Sequence, residues 1–523
     1  MDDPDGAPTP WWQTAVLYQI YPRSFSDSNG DGRGDLEGIR RQLDYVRWLG
    51  VGGVWLSPIY RSPMADFGYD VSDHCAIDPT FGDLAAFDRM LADAHANGLR
   101  LLLDWVPNHT SDRHPWFVAS RSSQDSPYRD WYFWRDGRPS GGPPNNWLAA
   151  FGGGAWTWDD HTGQWYLHLF LPEQPDLNWA NPAVAEAMHG VLRFWLDRGV
   201  DGFRADVVHL IGKDPALPDQ PPELVAATGG IVGVHDNPST HGLLRGIRSL
   251  LDSYPGDRAM VGEVNLSSAA LLVPYYGDDD ELNLVFNFSL LYAPWRSEHW
   301  AELIAEAEAA FEPVGAWPVW VLSNHDTARQ RSRYGGSEAR ARVAAVVLLT
   351  LRGTPVLYAG EELGLEDAVV PEAERVDPGG RDGCRAPIPW TSGSGHGWDG
   401  HPPWLPWPPS PDTRNVEVLR ADGGSILHLY RRLLMARRES QALHAGAWRL
   451  LDAPGGVLAY LRRHGDDLRV IAANFGDEPV EASVVPGPWV VAVGTDRARE
   501  GERWDGRLAP TEAVVVRPGV PHR

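Results

Sequence analysis

Cysteine is nearly absent from this 523-residue chain. Cys75 and Cys384 are the only two, so no disulfide framework holds it together. No apolar run is long enough to span a bilayer. The first residues, Met1-Asp2-Asp3-Pro4-Asp5, are acidic and lack the apolar core of a secretion signal. Positive charge is scarce too: 46 Lys and Arg face 70 Asp and Glu, for a net charge of −24 and a pI near 5.1. Such a balance argues against nucleic acid and anionic membrane surfaces as partners, and says little about a neutral substrate. No low-complexity tract occurs, and no internal repeat beyond an alternation of strands and helices. These absences make a cytoplasmic enzyme the expectation.

What is present is apolar mass. Apolar residues make up 43% of the chain and tryptophan alone contributes 25, enough for one large domain with appendages. Strand-like runs recur at Ala15–Tyr21, Gly53–Ser57, Arg100–Leu103, Gly202–Asp206, Ala259–Glu263, Leu284–Phe288, Val319–Leu322 and Pro355–Tyr358. Helical patterns at about Leu36–Leu49 and Leu84–Asn97 separate the first three. Strands alternating with helices, each strand ending in polar residues, predict a parallel (β/α)8 TIM barrel with its site at the carboxyl ends of the strands. Residues 105–175 break the rhythm with Trp, Gly, Pro and Asp, and predict a loop-rich inserted domain after strand three. The barrel is then 1–104 and 176–445. A last helix at about Ile426–Arg438 precedes alternating segments at Val457–Arg463, Leu468–Phe475 and Ala513–Val516. These predict a C-terminal antiparallel β-sandwich over 446–523.

The strand ends carry charge. Arg204 and Asp206 are two apart, hence on one face of a strand, and an arginine beside a carboxylate keeps it ionised and oriented. A structural ion pair would look the same, so the other strand ends decide. They supply Glu263 and Asp326. Facing carboxylates are the minimum kit for glycoside cleavage, one attacking the anomeric carbon and one protonating the leaving oxygen. His109 and His325, also at strand ends, suit sugar hydroxyls.

Between the first strand and helix, Asp27-Ser28-Asn29-Gly30-Asp31-Gly32-Arg33-Gly34-Asp35 sets oxygen side chains at alternate positions. That spacing suits a hard cation such as calcium. A helix–loop–helix calcium loop is ruled out, because its twelfth position is Gly38 and not a bidentate Glu. A polar turn capping the next helix is the other reading.

Four stretches, Asp104–His109, Gly202–Asp206, Gly262–Glu263 and Asn324–Asp326, resemble the signature segments of the α-amylase family of glycoside hydrolases. Gln174-Pro175-Asp176-Leu177-Asn178-Trp179, Ser332–Gly335 and Arg381–Arg385 resemble that family's α-glucosidase and oligo-1,6-glucosidase branch. The likeness reaches to about residue 440. It implies a retaining mechanism with Asp206 as nucleophile, Glu263 as acid/base and Asp326 as a group favouring the distorted transition state. Arg204, His109 and His325 would be supporting contacts, and Phe151 and Phe170 would line the pocket. Asp66, Tyr69 and an arginine, Arg385 before Ala386-Pro387, would close its non-reducing end. Asp27, Asn29, Asp31, Asp35 and the Arg33 backbone oxygen would bind a structural calcium, or magnesium in its place. No organic cofactor is implied.

Val207 after the nucleophile resembles α-1,6-preferring members. The Pro-rich stretch from about Lys213 to Thr240 is expected to reshape the acceptor side. The substrate class is a short α-glucoside of maltose, isomaltose or sucrose type, and the chain is expected as a monomer or homodimer. A transglucosylase or isomerase, of trehalose synthase or sucrose isomerase type, is the alternative. The remote one is a non-catalytic relative resembling the ectodomains that chaperone transporters, which lack the full set of acids and carry a membrane anchor.

Overall fold

A computed structural model describes residues 9–221, 223 and 236–519. The acidic N-terminal residues 1–8, and positions 222 and 224–235 of the Pro-rich stretch, lie outside the described residues.

Eight parallel strands close into a barrel: β1 (Leu17–Ile20), β2 (Gly53–Leu56), β3 (Arg100–Trp105), β4 (Gly202–Ala205), β5 (Ala259–Gly262), β6 (Leu284–Asn287), β7 (Pro318–Val321) and β8 (Thr354–Tyr358). Each pairs with its chain neighbours, and β8 returns to β1 with Leu17 opposite Val356. Alternation sorts the side chains. Leu17, Trp55, Leu102, Val261, Phe286, Val319 and Val356 fill the barrel's interior. Their neighbours Tyr18, Val54, Leu103, Phe203, Met260, Trp320 and Leu357 pack outward under the helices. The same period of two, continued to the strand ends, carries polar groups onto the inner face: Gln19 after Leu17, Asp104 after Leu102, Glu263 after Val261.

The helix expected over Leu36–Leu49 is two, α1 (Leu36–Arg41) and α2 (Leu43–Leu49), hinged at Gln42. Residues 105–175 hold a seven-residue helix, Pro115–Arg121, and a three-stranded antiparallel sheet of Trp134–Arg135, Gln164–Leu167 and Trp156–Asp159. The insert returns to the barrel through Gln174–Trp179, pinned by the Trp179 indole donating to the Pro107 carbonyl at 2.8 Å and by the buried Lys213 ammonium, 3.0 Å from Asp176.

The C-terminal unit is a five-stranded antiparallel sheet of β9 (Ala447–Leu450), β10 (Val457–His464), β11 (Asp467–Asn474), β12 (Trp489–Gly494) and β13 (Ala513–Pro518). Their order is β9-β10-β11-β13-β12. A two-stranded ribbon, Val480–Glu481 with Arg507–Leu508, covers one face and buries Leu508 against Val470, Val491 and Val514. The sequence reading missed β9 and β12.

Gly202 shows how tightly β4 sits. A Cβ there would lie 2.1 Å from the Ala259 carbonyl oxygen of β5, and backbone cannot step aside. Gly202→Ala is expected to lower thermal stability by at least about 1–3 kcal/mol through overpacking, read as a drop in the melting temperature.

Candidate active site

The Arg204 guanidinium is buried on the inner face of β4. Its Nη1 donates to Asp104 Oδ1 at 2.8 Å and to Asp206 Oδ1 at 2.7 Å, and its Nη2 donates to Glu263 Oε2 at 2.5 Å. One cation therefore ties together carboxylates from the ends of β3, β4 and β5. The Trp55 ring lies 5.1 Å from its carbon, and Trp55 Nε1 donates to Asp104 Oδ2 at 3.2 Å.

Val207, next after Asp206, has φ of +34°, a left-handed backbone that a β-branched residue rarely adopts. The kink lets the Val207 amide donate to Glu263 Oε2 at 3.1 Å, and the Val208 amide to the Glu263 carbonyl at 3.1 Å. The strained turn thus fixes the two acids relative to one another.

Across the barrel mouth a relay orients His325. Gln19 Nε2 lies 2.7 Å from its Nδ1 and Tyr69 hydroxyl 2.6 Å from its Nε2, and that hydroxyl reaches Asp104 Oδ2 at 2.9 Å. The Tyr69 and His325 rings stack 5.4 Å apart. Burial drops His325 to about 3 and His109 likewise to about 3, so both are neutral rings at working pH. His109 Nε2 is 3.1 Å from Gln174 Nε2, which also donates to Asp66 Oδ2 at 3.0 Å.

The wall at the far end is Asp66 with Arg381. Arg381 Nη2 donates to Asp66 Oδ1 at 2.6 Å, and its Nη1 to Asp326 Oδ1 at 2.9 Å. Arg385 was expected in this place and does not occupy it. A single 3-10 turn, Asp382–Arg385, directs Arg385 inward. There it meets the His325 carbonyl at 2.8 Å and Asp377 at 2.9 Å, with its Nη2 3.2 Å behind Asp326. Arg385 is wholly buried and outside the pocket lining. Its neighbour lines the pocket, with the Phe151 ring 5.2 Å from the Arg381 guanidinium carbon.

A cavity of about 250 Å³ results, lined by Asp206, Glu263 and Asp326 and by Asp66, Tyr69, His109, Phe151, Phe170, Val207 and His325. Six carboxyl groups, 66, 104, 206, 263, 326 and 377, meet only three guanidiniums, 204, 381 and 385. They cannot all hold full negative charge cheaply. Burial pushes Asp104 up to about 6 against the pull of Arg204. Burial also raises Asp206 well above the usual carboxylate range; Arg204 opposes this, while Glu263, Asp104 and Asp326 add to it. Asp326 goes the other way. Burial works against its ionisation, but His325, Arg381 and Arg385 together outweigh it and hold Asp326 well below the usual range. With the His325 ring neutral at working pH, Arg381, Arg385 and Arg204 are the cations that favour its charged form there.

Three members of this constellation were not singled out from sequence, Asp104, Gln174 and Asp377, and a fourth, Arg381, was passed over in favour of Arg385. Gln174 lay inside a recognised segment, and Arg381 lay one helical turn from the arginine chosen.

The 27–35 loop sits apart, docked on the segment after β8 through His401 and Trp404 amides that donate to Gly30 and Gly32 carbonyls at 2.9 Å. Its oxygens turn onto its own backbone. Asp27 accepts the Asn29, Gly30 and Gly32 amides, Asn29 that of Asp31, and Asp31 that of Arg33. Asp35 caps α1 by accepting the Gly38 amide at 2.7 Å. Alternate oxygens therefore suit a hard cation in type and spacing, but among the described residues no three Asp, Glu, His or Cys side chains converge as a metal-holding group.

With the site in view, the comparison with known proteins is direct. The family model described as "Alpha amylase, catalytic domain" matches residues 19–446. The chain belongs to the α-amylase family. A second model, a domain of unknown function (DUF3459), matches residues 443–516. Among curated relatives, a probable alpha-glucosidase of Rhizobium meliloti is 43% identical over 498 residues, covering 90% of each chain. An oligo-1,6-glucosidase of Parageobacillus thermoglucosidasius is 38% identical over 514 residues, covering 90% of this chain and 91% of its own. Among solved structures, the alpha-glucosyl transfer enzyme XgtA superposes with a TM-score of 0.92 at 40% identity, covering 98% of this chain and all of that one. The α-amylase family's barrel, not the insert or the C-terminal sheet, carries the acids.

In the attacking role that the family resemblance implies for Asp206 the carboxylate has to be ionised, so its raised pKa would move the acidic limb of kcat/KM above the range of a free carboxylate. Arg204→Gln removes the opposing cation. It is expected to move that limb to still higher pH and to lower kcat/KM, and separately to lower stability by about 3–5 kcal/mol, the cost of breaking a buried pair. A pH–rate profile of both proteins checks the direction.

Proposed function

We propose that this protein is a retaining, exo-acting α-glucosidase that releases single glucose units from the non-reducing ends of short α-glucosides. The observation that carries this reading is the Asp66–Arg381 pair, which closes the pocket beyond the three acids at one end. A closed end admits a chain terminus and refuses the middle of a polymer.

In this reading Asp206 attacks the anomeric carbon while Glu263 protonates the departing oxygen, and Glu263 then deprotonates the water that releases glucose. Both acids bind one guanidinium, which favours the close spacing of about 5–5.5 Å of retaining enzymes over the roughly 6.5–9.5 Å of inverting ones. Asp326, held ionised by Arg381 and Arg385, and the neutral His109 and His325 grip ring hydroxyls. Tyr69, Phe151 and Phe170 offer ring faces to the sugar. Relatives named alpha-glucosidase and oligo-1,6-glucosidase support this substrate class, and Val207 beside the nucleophile supports a leaning to α-1,6 linkages. Transfer of the same glucosyl group to a sugar, by a transglucosylase or isomerase, is the second reading, favoured by the likeness to a named transfer enzyme. No helix among the described residues is long and apolar enough to cross a membrane, which is compatible with a cytoplasmic site of action. Whether one or two copies assemble is set by a sizing measurement.

Incubation with maltose, isomaltose, sucrose and trehalose, with every product identified, tests the reading. Glucose is expected from at least one of them. A maltodextrin blocked at its non-reducing end is expected to stay intact, and internal cleavage of it would overturn the exo assignment. Glu263→Gln is expected to lower turnover of maltose or isomaltose by roughly 10²–10⁴-fold, the usual worth of a positioned proton donor.

The reading includes a structural calcium, or magnesium, held by Asp27, Asn29, Asp31, Asp35 and the Arg33 carbonyl, outside the chemistry. A cation that binds only the folded state raises the melting temperature. A chelator is therefore expected to lower it, and elemental analysis to find the metal.

A further inference from the structure

The pocket is chemically lopsided. Its closed end is charged: Asp66, Asp326 and Arg381 converge there. The remaining lining includes neutral and partly apolar residues, Val207, Leu210, Phe288 and Tyr292 with Asn265. Phe288 lies flat on Phe286, 5.3 Å away and within 6° of parallel, so its ring is fixed in orientation. Tyr292 is 63% exposed, unusual for so large a ring. It lines the same cavity as Glu263 and Asp326.

This neutral lining does not end with the pocket. Asn265, Phe288 and Tyr292 also line a second cavity of about 290 Å³. It lies between the loops after β5 and β6 and the helix Ser297–Phe311. Leu266, Leu272 and Leu303 give it apolar walls, Ser267 and Ser268 give it neutral hydroxyls, and Glu306 is its only charged lining residue among those described. A chamber that borders the catalytic pocket at three shared residues, with one anion and no cation among its described lining residues, selects on charge and polarity.

We propose that this side chamber is the aglycone site, and that it takes neutral, partly apolar alcohols, aryl or alkyl in character, and rejects phosphorylated ones. The inference rests on the glucosidase reading and names the leaving group or acceptor for it. In the transfer direction the acceptor oxygen bonds to the anomeric carbon as the ester bond to Asp206 breaks. The electron pair returns to the Asp206 carboxylate, and the acceptor's proton passes to Glu263. A phosphate would enter beside Glu306 with no guanidinium or ammonium in the chamber wall to meet it.

The test is competition for the glucosyl-enzyme. Isomaltose or maltose serves as donor, and equal concentrations of benzyl alcohol, glucose or glucose 6-phosphate as acceptor, with transfer products and free glucose both quantified. Benzyl glucoside is expected to exceed the glucose-transfer product by roughly tenfold, the lower end of what apolar pocket contacts discriminate, with glucose 6-phosphate giving no product. Tyr292→Ala and Leu303→Trp, which respectively remove the exposed ring and fill the chamber, are expected to lower the benzyl-to-glucose transfer ratio several-fold. Glu306→Lys is expected to make glucose 6-phosphate an acceptor, and serves if Leu303→Trp proves unstable. Equal use of glucose 6-phosphate and glucose by the unaltered enzyme, a benzyl-to-glucose ratio untouched by Tyr292→Ala and by Leu303→Trp, or, where Leu303→Trp does not fold, no transfer to glucose 6-phosphate by Glu306→Lys, overturns the proposal. Release of no glucose from any donor would instead remove the glucosidase reading beneath it; glucose release without the acceptor preference removes this inference alone.

Discussion

Everything at the mouth of the barrel hangs on one cation. Arg204 is buried, and a buried guanidinium is tolerable only when its donors are matched by acceptors. Three carboxylates meet its two terminal nitrogens, each from the carboxyl end of a different strand, while its Nε has no partner among the described residues. The barrel's register sets Asp104 opposite Arg204, with Glu263 two residues beyond Arg204's partner Val261, and the arginine holds the repulsion among the acids in check. Without it the site would have to take up protons or open. The constraint also explains the strained Val207: its backbone leaves the strand direction at the point where Glu263 must be reached.

The second half of the site is built by segments with no place in the barrel. Asp66 follows β2, Gln174 ends the insert, and Arg381 and Asp377 follow β8. They are joined by charge-assisted hydrogen bonds among side chains that are largely withdrawn from water, where such bonds have both strength and direction. Arg385 and Asp377 form a second layer behind this wall. Its Arg385, with Arg381 of the wall, favours the ionised form of Asp326.

Much of this was legible in the sequence, because a parallel barrel advertises itself through apolar runs that stop on charge. All eight strands, and the three acids at their ends, come from that rule. The failures have physical causes. Leu36–Leu49 reads as one helix because its apolar spacing runs through Gln42, where the backbone breaks without a Gly or Pro to mark it. β9 has no clean alternation, since it is an edge strand with mostly exposed residues. Arg381 and Arg385 are separated by a single turn, and which of them faces the pocket depends on the sense of that turn, which side-chain identity does not encode. Asp104 was seen as a strand end but not as a partner of Arg204, because that contact is between strands a hundred residues apart.

One more property follows from the group that fastens the insert to the barrel. Lys213 is the only lysine in the chain, every other basic side chain being arginine or histidine. It is also buried, between Asp176, the Asn108 side chain and the Leu210 carbonyl. The folded surface therefore presents guanidiniums but no ε-amine. Reagents that acylate amines, aldehydes that cross-link them and supports that capture them find no side chain to react with until the insert comes away from the barrel. Acylation of Lys213 is thus a chemical clock for that separation, in a protein whose other cations are blind to the same reagents.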